Sequence, residues 1–220
     1  MIISTGAAYR RIDAERRAEF EGRGVYYAAT AMEGALCRGA TVVIAGAGNS
    51  AGQAAMFLSE CAAKVILVVR GTDLAKSMSS YLSRRVETKE NIEILFQTEI
   101  RKMRGGRTLE EIDLENTVTG EWRTVHTPAV FSMIGAKPCT DWLPPEIERD
   151  DRGFIKTGTQ VAQSPAWQKS ERRPCALETS QPGVFAAGDC RSGSVKRCAA
   201  AVGEGGMAVE NVHDALGTYA

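Results

Sequence analysis

The sequence predicts an α/β fold in which a βαβαβ half-unit of a doubly wound parallel sheet runs into an antiparallel meander. Three observations carry that reading. "TVVIAG" (41–46), "KVILVV" (64–69) and "IEILFQ" (92–97) are short apolar runs of the kind buried on both sheet faces. The stretches between them, "SAGQAAMFLSECA" (50–62) and "LAKSMSSYLSRRVET" (74–88), have helical spacing. After these, "EIRKMRGG", "LEEIDLENTVTG" and "EWRTVHT" alternate apolar and polar residues around Gly-Gly and Thr-Gly breaks, which suggests a meander with one wet face.

In chain order, "MIIST" reads as a short strand turning at Gly6. Residues 8–40 are mixed and polar with an apolar patch at 25–31, a connection carrying a short helix. The regular βαβαβ series and the meander follow. "AVFSMIGAKP" (129–138) is again a buried strand, ending at Gly135. Pro144-Pro145 and the polar stretch 164–174 are expected to be loops. "GVFAAGD" (183–189) is a strand ending at an acid, and "KRCAAAVGEGGMAVENVHDAL" (196–216) a helix interrupted at 203–206. No repeat or low-complexity tract is present.

Composition limits the function classes. Lys plus Arg and Asp plus Glu are 27 each, so no net field favours nucleic acid or an anionic membrane. Apolar runs such as "VILVV" are too short to span a bilayer, and the N-terminus has no basic region of a signal peptide. The six cysteines, 37, 61, 139, 175, 190 and 198, contain no Cys-x-x-Cys and suit neither a zinc site nor a disulfide-stapled secreted domain. A cytoplasmic protein with mostly free thiols is expected. His126 and His213, the two histidines, have no readable partner.

The first chemistry-bearing motif is Gly46-Ala47-Gly48-Asn49-Ser50-Ala51, a G-x-G-x-x-A between strand and helix. Gly46 permits the tight turn and Gly48 lets the backbone approach a pyrophosphate. Ala51 keeps helix and strand close, and the helix N-terminus supplies N–H groups and a positive dipole end. A dinucleotide is the ligand such a turn fits; the alternative is a Gly-rich turn without one. Adenosine-ribose recognition follows the second strand, where an acid suits NAD and an arginine suits NADP. The sequence there is "VVRGTDLAK", with Arg70 in that place and Lys76 shortly after, which favours NADPH over NADH. Asp73 comes late and suits a helix cap. The second motif, "GVFAAGD", can present the Asp189 carboxylate to a polyol, or Asp189 can be a turn or cap residue.

Taken together, "IISTGA", the G-x-G-x-x-A, "MIGAKP" and "TSQPGVFAAGDCR" occur in an order that resembles the two-dinucleotide-domain flavoprotein reductases, most closely the low-molecular-weight thioredoxin reductase group. The resemblance runs from Ile2 to about Leu216. It implies an NAD(P)H-binding domain (23–136, with a linker) inserted in an incomplete FAD-binding domain (1–22 and 137–220), with NADPH, or NADH, and FAD as cofactors. It implies nucleotide contacts from Gly46, Gly48, Asn49, Ser50, Ala51, Arg70, Lys76, Ile134 and Gly135. On the flavin side it implies Thr5, Gly6, Gly188 and Asp189, with Arg197, Cys198 and Ala199 beside the isoalloxazine, and no catalytic acid, base or nucleophile.

The departures are informative. The family's own first G-x-G-x-x-G, for the FAD pyrophosphate, is not present in this sequence. The redox Cys-x-x-Cys falls on "YAATAME", where Ala28 and Ala31 take the cysteine places, and two methyl groups cannot form a disulfide. The 2′-phosphate arginine set is reduced to Arg70, with Val69, Gly71 and Ala75 in the other places. The expectation is a flavoprotein oxidoreductase without dithiol relay, its acceptor a carrier protein or small molecule, forming a homodimer or pairing with a flavin-domain segment. The alternative is an NADP(H)-binding module or truncated fragment with no catalytic activity. Cys190 and Cys198 flank the expected flavin loop and are read as incidental thiols rather than a replacement pair, and Cys37 as a small buried hydrophobe.

Overall fold

The computed structural model describes residues 1–217, so the last three residues of the expected flavin-domain return lie outside the described residues. The described residues form two compact units, 1–8 with 136–217 and 9–135. It opens with β1 (Ile2–Ile3) and β2 (Ala7–Tyr9). The break falls after residue 8 rather than 22. Ile12 and Phe20 are buried in the core of the second unit, and Glu15 forms an isolated bridge with Lys102 of the meander.

In the second unit a 3-10 turn (Arg17–Phe20) precedes β3 (Val25–Tyr26) and α1 (Ala31–Leu36). Thr30 and Glu33 form a capping box at the start of α1. The βαβαβ series then appears as expected: β4 (Thr41–Ala45), α2 (Asn49–Ser59), β5 (Lys64–Val69), α3 (Ser80–Glu87) and β6 (Ile92–Phe96). The meander is β7 (Thr98–Gly105), β8 (Leu109–Asn116) and β9 (Trp122–His126), and β10 (Val130–Ser132) returns to the parallel sheet. Strand order is β3-β10-β4-β5-β6, all parallel, with the meander a separate antiparallel sheet.

Strand alternation divides the core. Val42, Ile44, Val65, Leu67 and Val69 face one side, where Ala51, Ala54, Ala55 and Leu58 of α2 and Leu82 and Val86 of α3 cover them. Val43, Ala45, Ile66 and Val68 face the other, against Ile100, Met103, Leu109, Ile112, Leu114 and Val125 of the meander. A sheet covered on both faces explains why its strands are apolar throughout; each fully buried aliphatic side chain contributes about 1.5–3 kcal/mol.

Two local expectations change here. β3 was expected as connection, and a two-residue strand is too short to show a period. The helix expected over 74–88 begins only at Ser80, because Asp73 accepts the Lys76 N–H and ties 73–78 into a turn anchored by buried Leu74 and Met78. Asp73 thus caps that turn and not α3.

The first unit continues with β11 (Ala136–Pro138), which pairs with β2, then a 3-10 turn (Gly158–Val161), α4 (Pro165–Gln168), β12 (Phe185–Ala186), a 3-10 turn (Gly188–Cys190) and α5 (Cys198–Gly217). β12 pairs in parallel with β1, Ile2 opposite Phe185 and Ile3 opposite Ala186. The stretch read as a loop from 164 to 174 contains α4, because Trp167 is buried and its Nε1 donates to the Thr179 carbonyl at 2.8 Å. The helix expected to break at 203–206 is continuous. Glycine costs about 1 kcal/mol per helix position against alanine, but Glu204 between them is bonded to Gly188 and Arg191, and Asn211 Oδ1 accepts from the Leu177 N–H.

Candidate functional site

The β4–α2 turn lies at the carboxyl edge of the parallel sheet, the edge at which α/β folds place nucleotides. Gly46 has φ +142°, and a Cβ there would lie 2.4 Å from the Met133 carbonyl oxygen, so the turn presses on the segment leaving β10 as only glycine allows. Gly48 is the N-cap of α2, and no side chain caps that helix. A Cβ at Gly48 would meet nothing nearer than the Ser77 carbonyl at 3.8 Å. The first-turn N–H groups of Asn49, Ser50 and Ala51 therefore stand behind an open, glycine-lined approach, which fits a pyrophosphate. Ala51 is fully buried against the sheet, which leaves its backbone and not its side chain for a ligand.

A second segment reaches this turn. The Ser77 hydroxyl donates to the Ala47 carbonyl at 2.9 Å, and the Ser79 N–H donates to Asn49 Oδ1 at 2.8 Å. Met78, between them, packs with Leu82 on Gly52, where an added Cβ would come within 2.8 Å of the Met78 sulfur. The sequence reading missed these serines, since nothing in "KSMSSY" signals contact with a turn thirty residues earlier.

Arg70 follows directly on β5 and is exposed. Lys76 is exposed as well, its Nζ 3.9 Å from Asp73 Oδ2. Gly135 has φ +95° with open space around it, and its carbonyl accepts from the Arg10 N–H at 2.9 Å, while Ile134 packs on the core beneath. Ala28 and Ala31 flank the cap residue Thr30, and both are exposed. Cys37 is fully buried, and burial pushes its thiol up to about 11, a poor nucleophile near neutrality.

In the first unit, Thr5 Oγ1 donates to the Cys139 carbonyl at 2.8 Å and the Cys139 N–H donates to the Gly6 carbonyl at 3.0 Å. Asp189 sits in the 3-10 turn after β12, and its Oδ1 is buried without a hydrogen-bond partner. A buried carboxylate oxygen left unpaired is costly, and a polyol hydroxyl would satisfy it. Glu204 of α5 fixes that turn: its Oε2 accepts from the Gly188 N–H at 2.7 Å, and Oε1 pairs with Arg191 Nη2 at 2.5 Å. Burial alone would raise the Glu204 carboxyl, but Arg191 and the Gly188 N–H outweigh it and hold the group below the usual carboxylate range. Arg197, Cys198 and Ala199 are exposed at the start of α5. Cys190 is buried, its thiol donating to the Ala187 carbonyl, whereas Cys198 is exposed. Among the described residues, no cluster of His, Cys, Asp and Glu could hold a metal ion, and no helix is long and apolar enough to cross a membrane.

Comparison with known proteins places these features in a group. The family model "Pyridine nucleotide-disulphide oxidoreductase" matches residues 1–205. The "34.2 kDa protein in rubredoxin operon" of Clostridium pasteurianum is 31% identical over 208 residues, covering 94% of this chain and 61% of the relative. The thioredoxin reductase of Treponema pallidum (strain Nichols) is 30% identical over 208 residues, with the same 94% and 61% coverage. Among solved structures, thioredoxin reductase from Giardia duodenalis superposes with a TM-score of 0.80 at 28% identity, covering 98% of this chain and 65% of that one. The chain thus spans about three-fifths of the length of the curated relatives it matches.

Proposed function

The chain belongs to the pyridine nucleotide-disulphide oxidoreductase family, and from that premise we propose that it is a thioredoxin reductase-like flavoprotein oxidoreductase that passes reducing equivalents from NADPH to FAD without a dithiol relay. The observation that carries the proposal is the uncapped N-terminus of α2 behind Gly46 and Gly48, at the carboxyl edge of a parallel sheet. Residues 9–135 would hold the nicotinamide nucleotide, and residues 1–8 with 136–217 would form part of the flavin site.

The family resemblance supplies the residue roles, and local geometry supports some of them. The N–H groups of Asn49, Ser50 and Ala51 take the pyrophosphate, and Gly48 gives it room. Arg70 and Lys76, exposed on the β5 side, supply positive charge for a 2′-phosphate. Ile134 and Gly135 line the approach to the nicotinamide ribose. On the flavin side, Asp189 accepts from a ribitol hydroxyl, the orphaned Oδ1 being the atom that needs one, and Thr5, Gly6, Gly188 and Arg197 to Ala199 form the surrounding backbone. The hydride chemistry is supplied by the two bound cofactors, and the protein contributes position, orientation and exclusion of water. With alanine at 28 and 31, electrons leave to a carrier protein or small molecule rather than through a Cys-x-x-Cys pair at that place. We place the protein in the cytoplasm, on the six unpaired cysteines, and expect a homodimer or pairing with a flavin-domain segment.

The test is the visible spectrum of the purified chain after incubation with FAD and desalting. Flavin bands that bleach on anaerobic addition of NADPH uphold the proposal. A colourless protein that still changes NADPH fluorescence reduces it to a nucleotide-binding module, and failure to bind either nucleotide overturns it.

A further inference from the structure

We infer that Ser77 is a positioning residue of the dinucleotide turn, holding one peptide plane so that the turn meets the pyrophosphate with N–H groups only. The inference rests on the nucleotide site proposed above and assigns a role to a residue outside the G-x-G-x-x-A motif.

The Ala47–Gly48 peptide is flat and carries the Ala47 carbonyl on one side and the Gly48 N–H on the other. This plane turns about ψ of Ala47 and φ of Gly48, and Gly48 has no Cβ to restrict its side of the rotation. Rotated one way, the carbonyl dipole opposes an anion; rotated the other, the Gly48 N–H joins the donors of the helix start. The Ser77 hydroxyl decides between them. It donates to the Ala47 oxygen at 2.9 Å, which fixes that carbonyl toward the 73–79 segment and aims the Gly48 N–H away from it.

The segment that brings Ser77 there is itself anchored. Leu74 and Met78 on either side are 1% and 4% exposed. Asp73 accepts the Lys76 N–H at 3.2 Å, and the Ser79 N–H is bonded to Asn49 Oδ1 at 2.8 Å. Because an N–H must be met by an acceptor, the Asn49 amide turns its oxygen to Ser79 and keeps its NH2 donors for the other side. The two contacts, at Ala47 and at Asn49, act in the same sense: both take up acceptors and leave donors. Ser77 touches no part of the nucleotide in this account, and its effect passes through the turn.

The role separates from that of Arg70 by what each senses. The pyrophosphate is common to NADPH and NADH, so Ser77 should affect both alike, whereas a 2′-phosphate contact affects NADPH alone. The experiment is titration calorimetry of the full chain with NADPH and with NADH, for wild type, Ser77→Ala and Ser77→Thr, with a melting temperature for each. Ser77→Ala is expected to weaken both nucleotides about fivefold, the size of one neutral hydrogen bond. The ratio between nucleotides and the melting temperature should stay unchanged, since Ser77 is exposed. Ser77→Thr, which keeps the hydroxyl, should return binding to wild type. Wild-type affinity in Ser77→Ala, weakening confined to NADPH, or no recovery in Ser77→Thr would each overturn the role of Ser77. A wild-type chain that binds neither nucleotide overturns the proposed site itself and this inference with it.

Discussion

The two units of the chain are stabilised by different physics. In residues 9–135 a five-stranded parallel sheet is covered on both faces, and two large clusters of buried aliphatic and aromatic side chains do most of the holding. In residues 1–8 with 136–217 the named sheets have two strands, the apolar clusters are small, and buried charge takes over. Glu178 is 0% exposed and accepts from Arg172 Nη1 and Nη2, each at 2.7 Å, from the Cys175 N–H at 3.0 Å and from the Gly183 N–H at 2.7 Å. Trp167 lies under the same guanidinium, 4.9 Å from its ring centre. The lesson is that one unit positions its candidate site by apolar packing and close backbone approach, the other by carboxylates that reach back to backbone N–H groups.

The largest expected effect that would sharpen this contrast is acid. Burial would raise Glu178 and Glu204, but Arg172, Arg191 and backbone N–H groups hold both below the ordinary range; Asp150 is likewise lowered against its own burial by Ser192 and two backbone N–H groups. A carboxyl with a depressed folded-state pKa contributes stability that is present above its unfolded value and lost as pH falls through the folded one. Urea midpoints should therefore fall between about pH 5 and about pH 2. In the second unit Glu93, lowered to about 2 by Arg123 and Lys64 against its burial, adds to the same trend. A flat profile would contradict the account of the first unit.

Next in size is Glu178→Ala, which withdraws a buried carboxylate from Arg172 and from two backbone donors. A loss of about 3–5 kcal/mol in urea denaturation is expected. A loss comparable with a surface substitution would show that the ion pair is not what holds this region. In the second unit the matching disruption is steric. Gly46→Ala sets a methyl 2.4 Å from the Met133 oxygen at a φ of +142°. It should cost about 1–3 kcal/mol and abolish NADPH binding in the same sample. The smallest effect is Arg70→Glu, an exposed charge reversal. It should weaken NADPH about tenfold, leave NADH nearly unchanged and leave stability alone; unchanged discrimination between the two nucleotides would remove Arg70 from the site.

Much of the second unit was legible in the sequence because its signals are local and periodic. The runs 41–46, 64–69 and 92–97 are β4, β5 and β6, and the G-x-G-x-x-A sits at the turn between β4 and α2. What stayed hidden depends on contacts between distant residues. β3 is a strand because β10 pairs with it, and α3 starts late because Leu74 and Met78 bury into a turn. In the first unit Gly203, Gly205 and Gly206 suggested a break that Glu204 overrides from within α5. The Ser77 contact with Ala47 spans thirty residues and leaves no trace in local pattern.

The central claim is that the β4–α2 turn holds the nicotinamide nucleotide, and a crystal structure of the chain with NADPH bound tests it most directly. The account predicts pyrophosphate oxygens within hydrogen-bond distance of the Asn49, Ser50 and Ala51 N–H groups, the 2′-phosphate against Arg70, and the Ala47 carbonyl still turned to Ser77. Nucleotide density elsewhere on the protein, with that turn left bare, would contradict it.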